Sequence, residues 1–175
     1  MAMQIAKSPC LSLNPVRAYA ETMRIALFQP EIAGNVGAVL RLAACLKVEV
    51  DLIEPMGFTW DDARVRRAAM DYIDHVAVTR HNGFEAFRQT IGEVRLILMT
   101  TKGGKSLYDA KFLDTDILLF GQESAGVPAK VAATCDLKLK IPIAPEVRSF
   151  NLAMAAAIAA AEVLRQTGKL LRVGA

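Results

Sequence analysis

Apolar positions along the chain fall into short runs separated by longer stretches with helical spacing. Residues 24–28 form one such run, residues 48–53 alternate and stop before Pro55, and residues 95–101 and 116–119 hold the unbroken apolar cores Leu96–Met99 and Ile117–Leu119. Runs of this length read as strands, and the solid ones as strands buried on both faces. Residues 75–79 and 137–143 predict two more. Between them, residues 34–47, 84–91 and about 149–167 carry the three-to-four spacing of helices. Residues 61–70 read as a charged helix with acids in its first turn, where they complement the macrodipole. Pro128 predicts the start of another helix, at a position where a missing N–H costs nothing. Strands alternating with helices predict an α/β fold, a mostly parallel sheet with helices on both faces.

The first helix is asymmetric. Val36, Val39, Leu40 and Ala43 share the side expected to face the sheet, while Gly37 and Arg41 fall on another side near Ala44 and Cys45. The last helix is thin, with alanine at positions 155–157 and 159–161. It suits close packing against a neighbour such as a second copy of the chain, and alanine is also simply a strong helix former.

Composition narrows the picture further. A chain of 175 residues is one domain with a real core, and 53% apolar but only 6% aromatic residues fit packed helices on a sheet. A net charge of +3 permits a polyanionic partner without demanding one. Cys10, Cys45 and Cys135 lack metal-ligand spacing and read as reduced thiols of a cytoplasmic protein. Lys7, Pro9, Pro15 and Arg17 interrupt any apolar run near the start, so no secretory signal is expected. Residues 1–22 are expected to be a disordered extension, 23–168 the folded domain and 169–175 a tail. Residues 152–164 are too short for a membrane span and contain Glu162.

The stretch from Phe120 to Pro128 carries the first hint of chemistry. A strand running through Gly121 and Gly126 into a helix is where open α/β sheets place a ligand. Gly104-Lys105-Ser106 imitates the end of a phosphate-binding loop, but Met99 stands where that pattern needs its first glycine. Ser124 fails as a hydrolase nucleophile, because Gln122 replaces a required glycine and both histidines, His75 and His81, lie upstream. Two histidines and three scattered cysteines make no metal site. Arg64, Arg66 and Arg67 on the charged helix, with Lys102 and Lys105 in a glycine loop, are either a solvated face or contacts to phosphates.

Three spaced segments then coincide: Asn35-Val36-Gly37 with Arg41, the stretch 120–128, and Ile141-Pro142-Ile143 followed by Arg148-Ser149-Phe150-Asn151-Leu152. Together they resemble the three motifs of the SPOUT class of RNA 2′-O-methyltransferases, over residues 23–168. Ile53 to Phe58, Arg66-Arg67-Ala68 and Asp71-Tyr72 are similar to the branch of that class that methylates the wobble ribose of tRNA. The extension lies outside the resemblance, and Phe150 and the alanines after Asn151 stand where that family varies.

The resemblance implies a C-terminal trefoil knot, an exception to the usual unknotted connectivity. It implies S-adenosylmethionine as cofactor, with S-adenosylhomocysteine as product. The cofactor would be held by loops around Met99 and Thr100, around Gly121, Glu123 and Gly126, and from Ile141 to Ser149. It also implies tRNA as partner and a homodimer whose site is completed across the interface, with no metal and no membrane. Arg41 is the implied catalytic residue. A guanidinium stays charged and has no acceptor atom, which argues against proton acceptance and for an electrostatic clamp on the 2′-hydroxyl or adjacent phosphate. Ser149 and Asn151 are implied to orient the hydroxyl or the cofactor, and Asn35, Arg64, Arg66, Arg67 and Lys105 to contact RNA. Two alternatives remain at this stage: a ribosomal RNA methyltransferase, and a non-catalytic RNA-binding relative, which would have lost Arg41, Gly121 or Asn151.

Overall fold

Successive residues of each central strand are buried on opposite faces of one sheet. The computed structural model describes residues 22–60 and 70–172. Its elements are β1 (Arg24–Phe28), α1 (Ala33–Leu46), β2 (Glu49–Ile53), a 3-10 turn (Met70–His75), β3 (Val78–His81) and α2 (Phe84–Ile91). Then come β4 (Leu96–Met99), β5 (Lys105–Ser106), a short 3-10 turn (Leu107–Asp109), β6 (Ile117–Phe120), α3 (Ala129–Ala133), β7 (Leu137–Lys140) and α4 (Leu152–Gln166). The strand order is β3-β2-β1-β6-β4-β7-β5, and every neighbouring pair is parallel. Ile25, Leu27, Ile97, Leu118 and Phe120 pack with Val36, Val39, Leu40 and Ala43 of α1 and Ala156, Ala159 and Ala160 of α4. Ala26, Phe28, Leu98 and Leu119 pack on the other side with Phe84, Phe87 and Ile91 of α2 and Val131 of α3. The mostly parallel α/β sheet with helices on both faces is therefore borne out.

Several boundaries differ from expectation for local reasons. The strand expected over residues 75–79 lies at Val78–His81. That placement sets His81 Nε2 2.7 Å from Asp51 and its ring edge-on to Phe87. Pro128 is the cap of α3 rather than its first residue. The last helix begins at Leu152, because Asn151 caps it by accepting from the Ala153 N–H at 2.9 Å. Gly37 is buried with the sheet-facing residues while Arg41 is exposed, so the two do not share the side expected of them. The extension expected over residues 1–22, apart from Thr22, lies outside the described residues. So does the helix expected over residues 61–70, apart from its last residue, and with it Arg64, Arg66 and Arg67.

β7 sits between β4 and β5. The segment that leaves β4, forms β5 and returns to β6 thus spans a strand that follows it in sequence, as the expected trefoil knot requires. Arg95 fastens this segment from one side, donating to both Asp116 oxygens at 2.7 and 2.6 Å and to the Lys111 carbonyl at 2.9 Å. From the other side Gln166 of α4 donates to the Ala110 carbonyl at 3.1 Å and to Glu162 at 2.8 Å. Arg165 adds two donors to the same Glu162 carboxylate, both at 2.8 Å.

A second polar group lies within the sheet's α2 face. Arg24 is fully buried and donates to Asp51 at 2.7 Å, to Glu49 and to Thr79, while Asp51 also meets His81. Removing one partner of such a buried pair strands the other charge. Asp51→Ala is expected to cost about 3–5 kcal/mol, read from denaturant midpoints. The hydrogen bonds from Arg165 and Gln166 hold the Glu162 carboxyl down at about 2, against an ordinary 4.5. The unfolded chain takes up that proton first on acidification. Stability should therefore fall as the pH drops from 4.5 towards 2, and Glu162→Gln should flatten that part of the profile in unfolding measurements at stepped pH.

Candidate functional site

β1 and β6 are adjacent, yet the helices that follow them leave to opposite faces: α1 packs on one side and α3 on the other. A crevice opens where successive connections diverge in this way, outside the carboxyl ends of the strands. Here the crevice is a cleft of 580 Å³ lined by Asn35, Met99, Thr100, Lys102, Gly121 to Val127, Ser149 and Asn151. It adjoins a smaller, more apolar hollow of 300 Å³ lined by Met99, Phe120, Ile141, Pro142, Ile143, Ser149 and Ala155. All three sequence motifs thus converge from distant parts of the chain. The combined volume falls in the usual range for small-molecule sites, about 300–1,000 Å³.

Two carboxylates cross between the loop after β1 and the loop after β6. Glu123 accepts from the Glu31 N–H at 2.9 Å and from Asn35 Nδ2 at 3.0 Å. Glu31 in turn accepts from the Ser124 N–H at 2.8 Å and the Ser124 hydroxyl at 2.7 Å. The Ser124 donors hold the Glu31 carboxyl below its ordinary value. Asn35 passes the connection on, its Oδ1 accepting from Asn151 Nδ2 at 2.9 Å, and Asn151 caps α4. Glu123, expected to hold a cofactor, therefore spends both oxygens on the start of α1. The sequence contains no sign of this exchange beyond the acids themselves, and Glu31 was not among the expected site residues.

Backbone contact shapes the floor of the same loop. Gln122 and Gly126 exchange N–H to C=O hydrogen bonds, both at 2.9 Å. A Cβ on Gly121 would lie 2.4 Å from the Gly126 carbonyl carbon, so no side chain fits there. Gly126 has φ +74°, a conformation natural to glycine. Thr100 donates its N–H to the Leu139 carbonyl at 2.8 Å, joining the loops after β4 and β7.

The remaining expected residues lie apart. Arg41, beyond Asn35 along α1, is exposed and its guanidinium lies over the Tyr72 ring at 5.0 Å. It lines neither hollow within one chain. Lys105, expected in a flexible loop, is the first residue of β5 and is paired with Leu139. Burial pushes the Cys135 thiol up to about 11, which keeps it protonated and unreactive. Among the described residues no group of His, Cys, Asp and Glu could hold a metal ion, and no helix is long and apolar enough to cross a membrane.

The sequence matches the SpoU rRNA methylase family over residues 22–161. A tRNA (cytidine(34)-2′-O)-methyltransferase of Beijerinckia indica is 50% identical over 151 residues, covering 85% of this chain and 94% of that protein. The protein of the same description from Escherichia coli K12 is 41% identical, with 83% and 94% covered. A solved structure described as giving insight into 2-OH methylation of C/U34 on tRNA superposes with a TM-score of 0.79 at 42% identity, covering 83% of this chain and 95% of that one. The AdoMet-bound SpoU methyltransferase AviRb of Streptomyces viridochromogenes shares the fold, with a TM-score of 0.73 at 23% identity, covering 90% of this chain and 65% of that one.

The glycine contacts generate a paired test. Gly121→Ala is expected to lower stability by about 1–3 kcal/mol, as forced overpacking does. Gly34→Ala, where an added Cβ meets nothing within 4 Å, should raise it by up to about 1 kcal/mol through helix propensity. Both are read in denaturant midpoints.

Proposed function

The chain belongs to the SpoU rRNA methylase family, and we propose that it methylates the ribose 2′-hydroxyl of the wobble nucleotide of tRNA, cytidine or a modified uridine at position 34. The observation that carries this reading is the convergence of all three motifs on one cleft, in a chain that spans nearly the full length of wobble methyltransferases. The ribosomal RNA methyltransferase structure from Sinorhizobium meliloti shares the fold at only 23% identity, against 50% for the wobble methyltransferase of Beijerinckia indica. Retention of Arg41, Gly121 and Asn151 favours an enzyme over a binding-only relative.

The residues present fit S-adenosylmethionine. Met99, Phe120, Ile141 and Ala155 offer an apolar slot, and Gly121 lets backbone approach where a Cβ would not fit. Thr100, Gly121, Gly126 and Ser149 line the wider cleft beside it, with Glu123 fixing the loop that holds them. The cofactor supplies an electrophilic methyl on a sulfonium, which leaves as the neutral thioether of S-adenosylhomocysteine. The chain's task is to hold the ribose hydroxyl in line with that methyl, and such positioning accounts for much of a two-substrate rate. Asn151 and Ser149 stand at the cleft to orient the hydroxyl or the cofactor, and Asn35 shares a hydrogen bond with Asn151.

The charged guanidinium of Arg41 has only donors and no acceptor for the hydroxyl proton, so its role is electrostatic, making the hydroxyl more acidic or holding the next phosphate. Its place outside the cleft of its own chain fits a homodimer in which each Arg41 serves the partner's cofactor. The exposed Ile32, Phe150 and Met154 around the starts of α1 and α4 would lie in that interface. Arg64, Arg66, Arg67 and Lys105 are proposed RNA contacts, and the reaction is assigned to the cytoplasm, where tRNA is matured.

Incubation with S-adenosylmethionine and tRNA lacking the wobble methyl, followed by mass mapping, tests the reading. A new 2′-O-methyl at position 34 is expected, and Arg41→Ala should slow its formation about 10²–10³-fold. A methyl at another nucleotide would overturn the wobble assignment.

A further inference from the structure

We propose that Lys102, Lys130, Lys138 and Lys140 form a cationic rim along one side of the cleft, which holds the phosphates of the RNA strand whose ribose enters it. The proposal rests on the RNA-methylating reading above and assigns a surface that reading leaves open.

Register places these residues together. Lys138 is paired with Leu98, whose side chain packs on the face covered by α3. Lys140, two residues on, points to the same face. Lys130 lies on α3 itself, exposed beside the buried Val131 that anchors the helix to that face. Lys102 and Lys138 line the larger cleft, and Lys140 lines the adjoining hollow. All four lysines are exposed. Lys105 is different: it is paired with the buried Leu139 and so projects to the opposite side of the sheet.

Two acids near this rim are held by other donors: Asp136 accepts from the Leu96 N–H at 2.7 Å, and Glu123 from the Glu31 N–H and Asn35. Among the described residues, no carboxylate lies within ion-pair distance of any of the four lysines. Lys102, Lys138 and Lys140 bring their charge to a cleft that must admit a nucleotide, and Lys130 adds to it from the neighbouring helix. Lysine suits this task, because a mobile point charge tracks a phosphate backbone without reading bases.

The test uses the full chain, wild type against Lys102→Gln/Lys138→Gln and Lys130→Gln/Lys140→Gln. Binding to unmethylated tRNA is followed by fluorescence anisotropy from about 50 to 200 mM salt, and binding of S-adenosylmethionine by calorimetry. Each lysine removed should flatten the slope of log affinity against log salt by about 0.7–0.9. RNA affinity and slope equal to wild type in both variants would overturn the proposal. So would a loss of cofactor affinity, which would assign the lysines to the cofactor instead. Failure of the wobble reading would appear separately, in the wild-type protein placing its methyl at another nucleotide.

Discussion

The insertion of β7 between β4 and β5 is the constraint on which the rest of the molecule depends. It leaves the crossing loop almost no room: a Cβ on Gly104 would lie 2.4 Å from the Lys138 carbonyl oxygen. Because the strand sits there, the chain emerging from Lys140 must return across the ends of β4 and β6 before α4 can reach α1. That return carries Ile141, Ser149 and Asn151 past Met99 and Gly121. One topological choice thereby brings loops more than a hundred residues apart to a single cleft. Arg95, and Gln166 with Glu162, fasten the segment between β5 and β6 to the rest of the molecule.

Within that frame, the exchange of carboxylates between Glu31 and Glu123 joins two functions that have no covalent reason to stay together. One loop shapes the cofactor slot, and the other opens the helix that bears Arg41. Each acid is held by donors from the opposite loop, so neither loop can shift without loosening the other. Charge-assisted hydrogen bonds to backbone N–H groups are stronger than neutral ones and directional. They suit a site whose chemistry depends on alignment more than on a reactive side chain. Asn35 and Asn151 extend the connection to α4, which makes the cap of the last helix part of the site.

How much of this was legible in the sequence depends on the range of the interaction involved. Solid apolar runs revealed β1, β4 and β6, and helical spacing revealed which side of α1 is buried, because both signals are local. The motif residues Asn35, Gly121, Ser149 and Asn151 were identifiable by spacing and resemblance, and they do meet at one cleft. Arg24, Asp51 and His81 gave no such signal. Each is a polar residue in a strand, unremarkable alone, and their joint burial follows only from the register that sets Asp51 beside Thr79 and His81 beside Ile53. The three-residue displacement of β3 has the same origin, since burying His81 against Asp51 outweighs the β-branched preference of the residues before it. Glu123 was found by its motif, but its engagement with Glu31 depends on a contact across 92 positions.

Net charge is a poor guide to what such a protein attracts. A formal charge of +3 over 175 residues is nearly neutral, yet exposed lysines gather on β7, α3 and the loop after β4. Nearby Glu31, Glu123 and Asp136 serve as hydrogen-bond acceptors for backbone and neighbouring side chains, while these lysines are left in water. A carboxylate saturated by N–H donors has much of its charge compensated locally, whereas an exposed ammonium does not. The same residues scattered in sequence would present a balanced surface. Folding sorts them, giving Glu31, Glu123 and Asp136 hydrogen-bond donors while the lysines stay in water. Local accounting of which charges are satisfied therefore decides where a polyanion docks, and total composition does not.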